Sequence, residues 1–137
     1  MNYWLIKSEP FKYSWSQFLQ DQVTFWDGVR NYQARNNLRT MQLGDQCLFY
    51  HSNEGKEVVG VAEIVKEYYQ DPTTSEDAWV VVDVKPLFAL KNPVSLKTMK
   101  NHPELQSIGL IKQPRLSVIA ITESEFRTII NLSNEPA

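Results

Sequence analysis

The sequence predicts an α+β, mainly β fold: a mixed, mostly antiparallel β-barrel of five to six strands, with short helices packed at its ends. Short runs rich in β-branched and aromatic residues recur along the 137 residues. They do not alternate regularly with long helices, which disfavours a parallel doubly wound sheet. The connections between them are hairpin-like and rich in turn residues. A chain of this length is expected to form a single domain, residues 1–137.

The N-terminal part of the chain alternates predicted strands with short helices. Residues 3–7 are predicted as the first strand. Ser14 suits the N-cap of a helix whose apolar residues recur with helical spacing. Residues 22–26 predict a short strand that ends at the turn dipeptide Asp27-Gly28. Residues 32–41 then suit one or two helical turns, and Gly44 follows just past their end.

The remaining strands are predicted at 46–51, 58–69, 79–88 and 116–121. Gly60 interrupts the second of these and predicts a bulge or a close approach by another backbone. Pro86 cannot donate to a ladder, so it predicts an edge or a bulge. Ser95 caps a predicted short helix. Thr122 and Glu125 have the spacing of a capping box before the last helix.

Cysteine and histidine are too few to indicate a metal or redox site. Cys47 is the single cysteine, so a disulfide within the chain is excluded, and its apolar surroundings predict a buried thiol. His51 and His102 are the only histidines, and neither has a partner at helical metal spacing. Phosphate-binding glycine motifs are absent as well. We therefore expect no metal and no cofactor.

The N-terminus and the charge limit the location and the partners. The N-terminus lacks the basic and apolar regions of a signal peptide, and no apolar stretch approaches membrane-spanning length. We expect a monomeric cytoplasmic protein, or a nuclear one in a eukaryote, with no membrane partner. The net charge of −2 disfavours tight nonspecific binding to a polyanion. Residues 57–84 are acidic and residues 85–115 are basic, so a local basic surface remains possible.

Residues 26–39, WDGVRNYQARNNLR, concentrate hydrogen-bonding groups around one tryptophan. Trp26 suits either packing at the rim of the core or a flat surface on which a planar ring stacks. Asn31 and Asn36 offer a donor and an acceptor together, which suits a nucleobase edge, but asparagine also makes turns and caps. Arg30 and Arg35 fit phosphates or carboxylates, or a solvated helix face. The segment alone leaves these alternatives open.

Two other segments are predicted to approach this stretch, because strand ends gather polar groups at one end of a barrel. Lys7 and Ser8 leave the first strand, and Tyr50, His51 and Ser52 end another. The combination predicts a concave site for a flat, hydrogen-bonding ligand.

Five motifs resemble those of the EVE domain family, which belongs to the PUA-like superfamily: YWLIKSEP at 3–10, WDGVRNYQARNNLR at 26–39, GDQCLFYHSN at 44–53, GVAEIV at 60–65 and PRLSVIAIT at 114–122. The resemblance extends from Tyr3 to about Ile130, and is greatest to the thymocyte nuclear protein type and to bacterial single-domain members. It implies a PUA-like barrel and a non-catalytic reader domain. The implied ligand is a modified nucleobase in DNA or RNA, such as a 5-modified cytosine, or the free modified base or nucleoside.

The resemblance also implies a pocket formed by the matching motifs. Its expected ligand-binding residues are Lys7, Ser8, Trp26, Asp27, Gly28, Val29, Arg30, Asn31, Arg35, Asn36, Tyr50, His51, Ser52, Arg115, Leu116 and Ser117.

Two other classes of function remain open. The acidic region 57–84 suits a protein-interaction module. A small enzyme acting on a nucleotide-like substrate is the third possibility, with His51, Ser52 or Glu9 taking part. Adjacent residues on a strand face opposite sides, so His51 and Ser52 do not form a nucleophile and base pair by themselves.

Overall fold

A single mixed sheet of six strands organises the computed structural model, which describes residues 1–135. The strands are β1 (Tyr3–Ser8), β2 (Thr24–Phe25), β3 (Gln46–His51), β4 (Glu57–Gln70), β5 (Val80–Ser95) and β6 (Val118–Ile121). The helices are α1 (Trp15–Asp21), α2 (Tyr32–Thr40), α3 (Leu96–Lys100), α4 (Gly109–Lys112) and α5 (Glu123–Asn134), with a 3-10 turn at Pro103–Leu105.

The sheet is open, so the predicted closed barrel is wrong. Its strand order is β2-β5-β4-β3-β1-β6, and no pairing within residues 1–135 joins β2 to β6. Closing a barrel requires the two edge strands to pair along their length. Here the edges are only two and four residues long. The prediction of a mixed, mostly antiparallel sheet is confirmed, because β1 and β3 pair in parallel and the other neighbours are antiparallel.

The predicted strands and helices are largely present but differ in length, and β6 begins at Val118 instead of the predicted residue 116. β5 runs on to Ser95, well past the predicted end at residue 88, because a register shift beside Pro86 lets the strand continue. The predicted strand 22–26 contracts to β2. Gln22 instead ends α1 with a positive φ of 67°, and a residue in that conformation cannot continue into a strand. The capping box of Thr122 and Glu125 is confirmed at the start of α5.

Gly60 is where α1 packs most closely on the sheet. A Cβ placed on Gly60 would lie 2.4 Å from Cη2 of Trp15, and the β4 register shifts at this residue. The ring of Trp15 packs edge-on against Phe18 and Phe49, whose own rings stack at 5.4 Å. The bulge predicted at Gly60 is confirmed, whereas the group that approaches this residue is the side chain of Trp15 and not another backbone. Cys47 lies in the same core as a buried free thiol, and burial raises its pKa.

A buried carboxylate joins the start of β1 to the turn before β3. The oxygens of Asp45 accept hydrogen bonds from the indole Nε1 of Trp4 at 3.0 Å and from the backbone N–H groups of Asn2 and Gln42. Asp45 is fully satisfied although it lies in an apolar region, as a buried charge requires. This arrangement fixes β1 beside β3, and so positions the residues at the end of β1.

Candidate functional site

A cavity of about 630 Å³ opens where β1, β2 and β3 end. Its walls come from four separate parts of the chain: the segment after β1, the segment from β2 into the following turn, the end of β3, and the segment before β6. This volume falls in the range of small-molecule pockets. The lining residues are Lys7, Ser8, Glu9, Lys12, Tyr13, Thr24, Phe25, Trp26, Asp27, Gly28, Ser52, Asn53, Pro114, Arg115 and Ser117.

Trp26 forms part of an aromatic wall of this cavity. Its ring is 8% exposed and packs edge-on against Phe49 at 5.6 Å and Tyr13 at 6.1 Å. The backbone N–H of Trp26 donates to the carbonyl of Val82 in β5, which fixes the residue to the sheet. Trp26 is therefore held in the core and also lines the cavity.

The end of β1 supplies polar side chains to the lining of the cavity. The Lys7 ammonium donates to the carbonyl of Pro114 at 2.7 Å, and its backbone N–H donates to the carbonyl of Ser117 at 3.0 Å. Burial lowers the pKa of Lys7. The Ser8 hydroxyl donates to the carbonyl of Tyr13 at 2.5 Å. These contacts join the segment before β6 to β1 and place a cation at the cavity.

The turn after Trp26 is held from outside the cavity by Asp71. This fully buried carboxylate accepts hydrogen bonds from the backbone N–H of Gly28 and from Nη1 of Arg30, both at 3.1 Å. It also accepts from the backbone N–H and the hydroxyl of Thr73. Burial alone would raise the pKa of Asp71, but these hydrogen bonds outweigh it and lower the pKa to about 2.

Gly28 occupies the left-handed region with φ of 77°, where a side chain is disfavoured. A glycine at this position lets the turn bring its N–H to Asp71 while Asp27 stays exposed at the cavity. The carboxylate of Asp27 is thus available as a hydrogen-bond acceptor beside the aromatic wall.

The structure brings about half of the predicted site residues to the cavity. Arg115, at its edge, also lines a second, smaller hollow of about 330 Å³ together with Asn31, Gln33, Gln113, Pro114 and Leu116. The predicted residues that line the main cavity are Lys7, Ser8, Trp26, Asp27, Gly28, Ser52, Arg115 and Ser117.

The other predicted site residues of the WDGVRNYQARNNLR segment make contacts within the protein and do not line the main cavity. Asn31 caps α2 by accepting from the N–H of Ala34. Arg30 pairs with Asp71 and lies over the ring of Trp79. Arg35 donates to the side chain of Asn36 and to the carbonyl of Ala78. Val29 is buried in the core. Asn31 therefore acts as a helix cap, as one of its predicted alternatives stated. Arg30 and Arg35 anchor the loop that ends at Trp79.

Two residues near the end of β3 also lie away from the cavity. Tyr50 is buried in the core, and burial raises its pKa to about 12. The Nε2 of His51 accepts the backbone N–H of Trp15 at 3.1 Å, at the start of α1. The next two residues, Ser52 and Asn53, line the cavity, and the N–H of Ser52 donates to the carbonyl of Ser8.

Mild acid is expected to lower the stability of the fold through His51. In the folded protein, burial lowers the pKa of His51 below its ordinary value of 6.5 and outweighs the opposite effect of Glu57. The folded state therefore favours the neutral ring, and protonation of Nε2 would remove the bond to Trp15. The contribution of His51 to the free energy of unfolding is fully present above the pKa that this residue has in the unfolded chain. It is lost as pH falls through the lower pKa of the folded state. The melting temperature should fall between about pH 7 and pH 5.

The measurement compares wild type with His51→Gln and with His102→Gln as the matched control. His51→Gln should flatten the pH dependence, and His102→Gln should retain it. Parallel melting curves for all three proteins would contradict the role assigned to His51.

Seven cavity residues were missed from the sequence, and three of them lie in the loop after β1; the seven are Glu9, Lys12, Tyr13, Thr24, Phe25, Asn53 and Pro114. The sequence indicated only a catalytic role for Glu9, and it indicated no role for Lys12 or Tyr13. The hydroxyl of Tyr13 donates to Asp21 at 2.8 Å, and burial together with this bond raises its pKa to about 12. The motif YWLIKSEP ends at residue 10. Extending it by three residues would have included both Lys12 and Tyr13.

The described residues contain no cluster of three or more His, Cys, Asp or Glu side chains arranged for a metal ion. A search of residues 1–135 likewise finds no helix with both the length and the apolar composition needed to cross a membrane.

Fold and cavity together define a small, sheet-based domain with a ligand-sized site at its strand ends. The family model for the EVE domain matches residues 2–132, and the chain belongs to the EVE domain family. Thymocyte nuclear protein 1 of Rattus norvegicus is 38% identical, over 99% of this chain and 76% of the relative.

Two solved structures extend the likeness to the whole fold. A protein from Agrobacterium tumefaciens is 43% identical, with a TM-score of 0.96 over 98% of this chain and 94% of that one. The human THYN1 protein, solved in complex with DNA containing 5-methylcytosine, is 33% identical with a TM-score of 0.92, and all of both chains is covered.

Proposed function

We propose that this chain is a non-catalytic reader domain that binds a modified nucleobase, a 5-modified cytosine such as 5-methylcytosine, in DNA or RNA. The chain acts as one EVE domain, and the base occupies the 630 Å³ cavity. The observation that carries the proposal is that Trp26 is fixed in the core and also lines an open cavity of suitable size. The human relative solved with DNA containing 5-methylcytosine supports the choice of ligand.

Stacking on Trp26 supplies the sequence-tolerant part of the binding energy. Base–aromatic stacking is worth roughly 1–3 kcal/mol per base. Phe49 and Tyr13 hold the indole edge-on, so little conformational entropy is lost when a base arrives. The nearby Phe25 side chain, partly exposed at the cavity, adds apolar surface for a 5-methyl group.

Recognition of the base edge falls to polar groups at the mouth. The exposed carboxylate of Asp27 suits the exocyclic amino group of cytosine, because a carboxylate accepts from that donor. Lys7 and Arg115 place positive charge at the same cavity and suit the neighbouring phosphates. The protein as a whole carries a charge of −2, so the base contacts must supply most of the selectivity.

The test measures the affinity for single-stranded oligonucleotides with one 5-methylcytosine or one cytosine at the same position. Wild type should prefer the methylated strand, and its affinity for both should fall with added salt. Asp27→Ala should weaken binding of the methylated strand by about tenfold, the size expected for one lost base-edge contact. Asp77→Ala, which removes an exposed carboxylate away from the cavity, is the control and should bind as wild type does.

Trp26→Phe tests the stacking wall with less disturbance of the core than alanine would cause. It should weaken binding of both strands while leaving the fold intact by circular dichroism. Equal affinity of wild type for the methylated and unmethylated strands would refute the proposal.

A further inference from the structure

The loop between β1 and α1 presents one apolar side chain to solvent. Phe11 is 84% exposed, more than any other large apolar side chain in residues 1–135. Its neighbours Glu9, Lys12 and Tyr13 line the main cavity, whereas Phe11 itself does not. Phe11 is therefore exposed in a loop whose neighbouring residues line the proposed base site.

Hydrogen bonds within the loop fix its shape. The backbone N–H groups of Lys12 and Tyr13 both donate to the carbonyl of Glu9 at 2.9 Å. The carboxylate of Glu9 pairs with the Lys12 ammonium at 3.1 Å and accepts a hydrogen bond from the side chain of Asn53. Fixing the loop in advance reduces the entropy that Phe11 would lose on contact with a partner.

A base that leaves a duplex for a protein pocket creates a gap in the stack. Extrusion costs a few kcal/mol in lost stacking and pairing, and apolar side chains such as phenylalanine can enter a base stack as wedges. An exposed phenyl ring beside the receiving pocket is suited to this position. The side chain of Lys12, 81% exposed, would meet the phosphates on the same side.

We propose that Phe11 is a wedge that enters the base stack of duplex nucleic acid where the modified base has been extruded into the cavity. This inference rests on the proposed function and adds that the preferred substrate is a duplex. The wedge replaces stacking that the departing base gives up, so it contributes to duplex binding and not to recognition of the base itself.

The experiment measures binding of wild type and Phe11→Ala to three substrates: a duplex with one 5-methylcytosine, the corresponding single strand, and a duplex in which that base is mispaired. Phe11→Ala should weaken duplex binding by about tenfold, the effect of losing one aromatic stacking contact. It should leave single-strand binding within about twofold, and the mispaired duplex should show a smaller loss because less extrusion work remains. Leu43→Ala removes another apolar side chain, 63% exposed and outside both hollows, and should bind as wild type does.

A fluorescent base analogue next to the methylcytosine reports unstacking directly. Wild type should raise its emission on the duplex, and Phe11→Ala should reduce that rise at saturating protein. The wedge is refuted if wild type fails to bind the duplex, or if Phe11→Ala binds it as wild type does. It is equally refuted if Phe11→Ala weakens single-strand and duplex binding to the same extent. In all three cases a wild-type preference for the methylated single strand would leave the proposed function standing.

Discussion

Replacing Asp71 with alanine is expected to lower the free energy of unfolding by about 3 kcal/mol. The substitution would remove a fully buried carboxylate and leave the N–H of Gly28 and the N–H and hydroxyl of Thr73 without their acceptor. Arg30 would lose its ion pair as well, although its partial exposure limits that part of the cost. Urea denaturation measures the change.

The same change should weaken nucleic-acid binding, because Asp71 holds the turn that carries Asp27 and Gly28 at the cavity. Asp77→Ala, in the same loop but exposed, should alter neither stability nor binding. If Asp71→Ala unfolded at the same urea concentration as Asp77→Ala, the anchoring role would be wrong.

The low pKa of Asp71 also predicts an acid dependence. Its pKa falls from 3.8 to about 2 on folding, so the charged form is favoured by the folded state. The resulting stability, about 2 kcal/mol, is present above the unfolded pKa and is lost as pH falls through the folded value. Asp71→Asn should show a shallower loss of stability between about pH 4 and pH 2 than wild type does.

Gly60→Ala is expected to destabilise the fold by up to about 3 kcal/mol, although alanine usually restricts the unfolded chain favourably. The added Cβ would lie within 2.6 Å of three atoms of the Trp15 ring. That ring is enclosed by Phe18 and Phe49, so it cannot move away without disturbing the core. Thermal and urea unfolding measure the cost.

Gly44→Ala is the control, because it measures the cost of backbone strain without a steric clash. Gly44 has φ of 86° and nothing within 4 Å of an added Cβ, so its substitution costs only the backbone conformation. Combining Gly60→Ala with Trp15→Phe should cost less than the sum of the single changes, because the shorter ring frees the space. Strict additivity would show that the ring contact is not the cause.

The sequence predicted the local elements better than the contacts between them. Patterns confined to a few residues, such as the box of Thr122 and Glu125, were sufficient because the interaction lies within one helical turn. The open sheet was not predictable in this way. Barrel closure depends on whether β2 and β6 meet, and their short lengths were overestimated from composition.

In the candidate site, too, local features were predicted better than contacts between distant parts of the chain. Trp26 and Ser8 were predicted as site residues, and both line the cavity. Asp71 was not singled out, although it holds the turn, because it lies 43 residues from Gly28 and its loop carries no motif. Arg30 and Arg35 were predicted as ligand-binding residues, but each donates to an acceptor in the loop before β5. Partners so distant along the chain are not visible in a local pattern.

The position of β1 between β3 and β6 has a consequence for biosynthesis. β1 is synthesised before the other five strands, yet one of its two neighbours, Val118–Ile121, is synthesised after them. On a ribosome, the interval is on the order of ten seconds. Until then Trp4, Leu5 and Ile6 cannot reach their final buried surroundings. One edge of β1 and the apolar side chains beside it therefore stay uncovered until β6 has been synthesised.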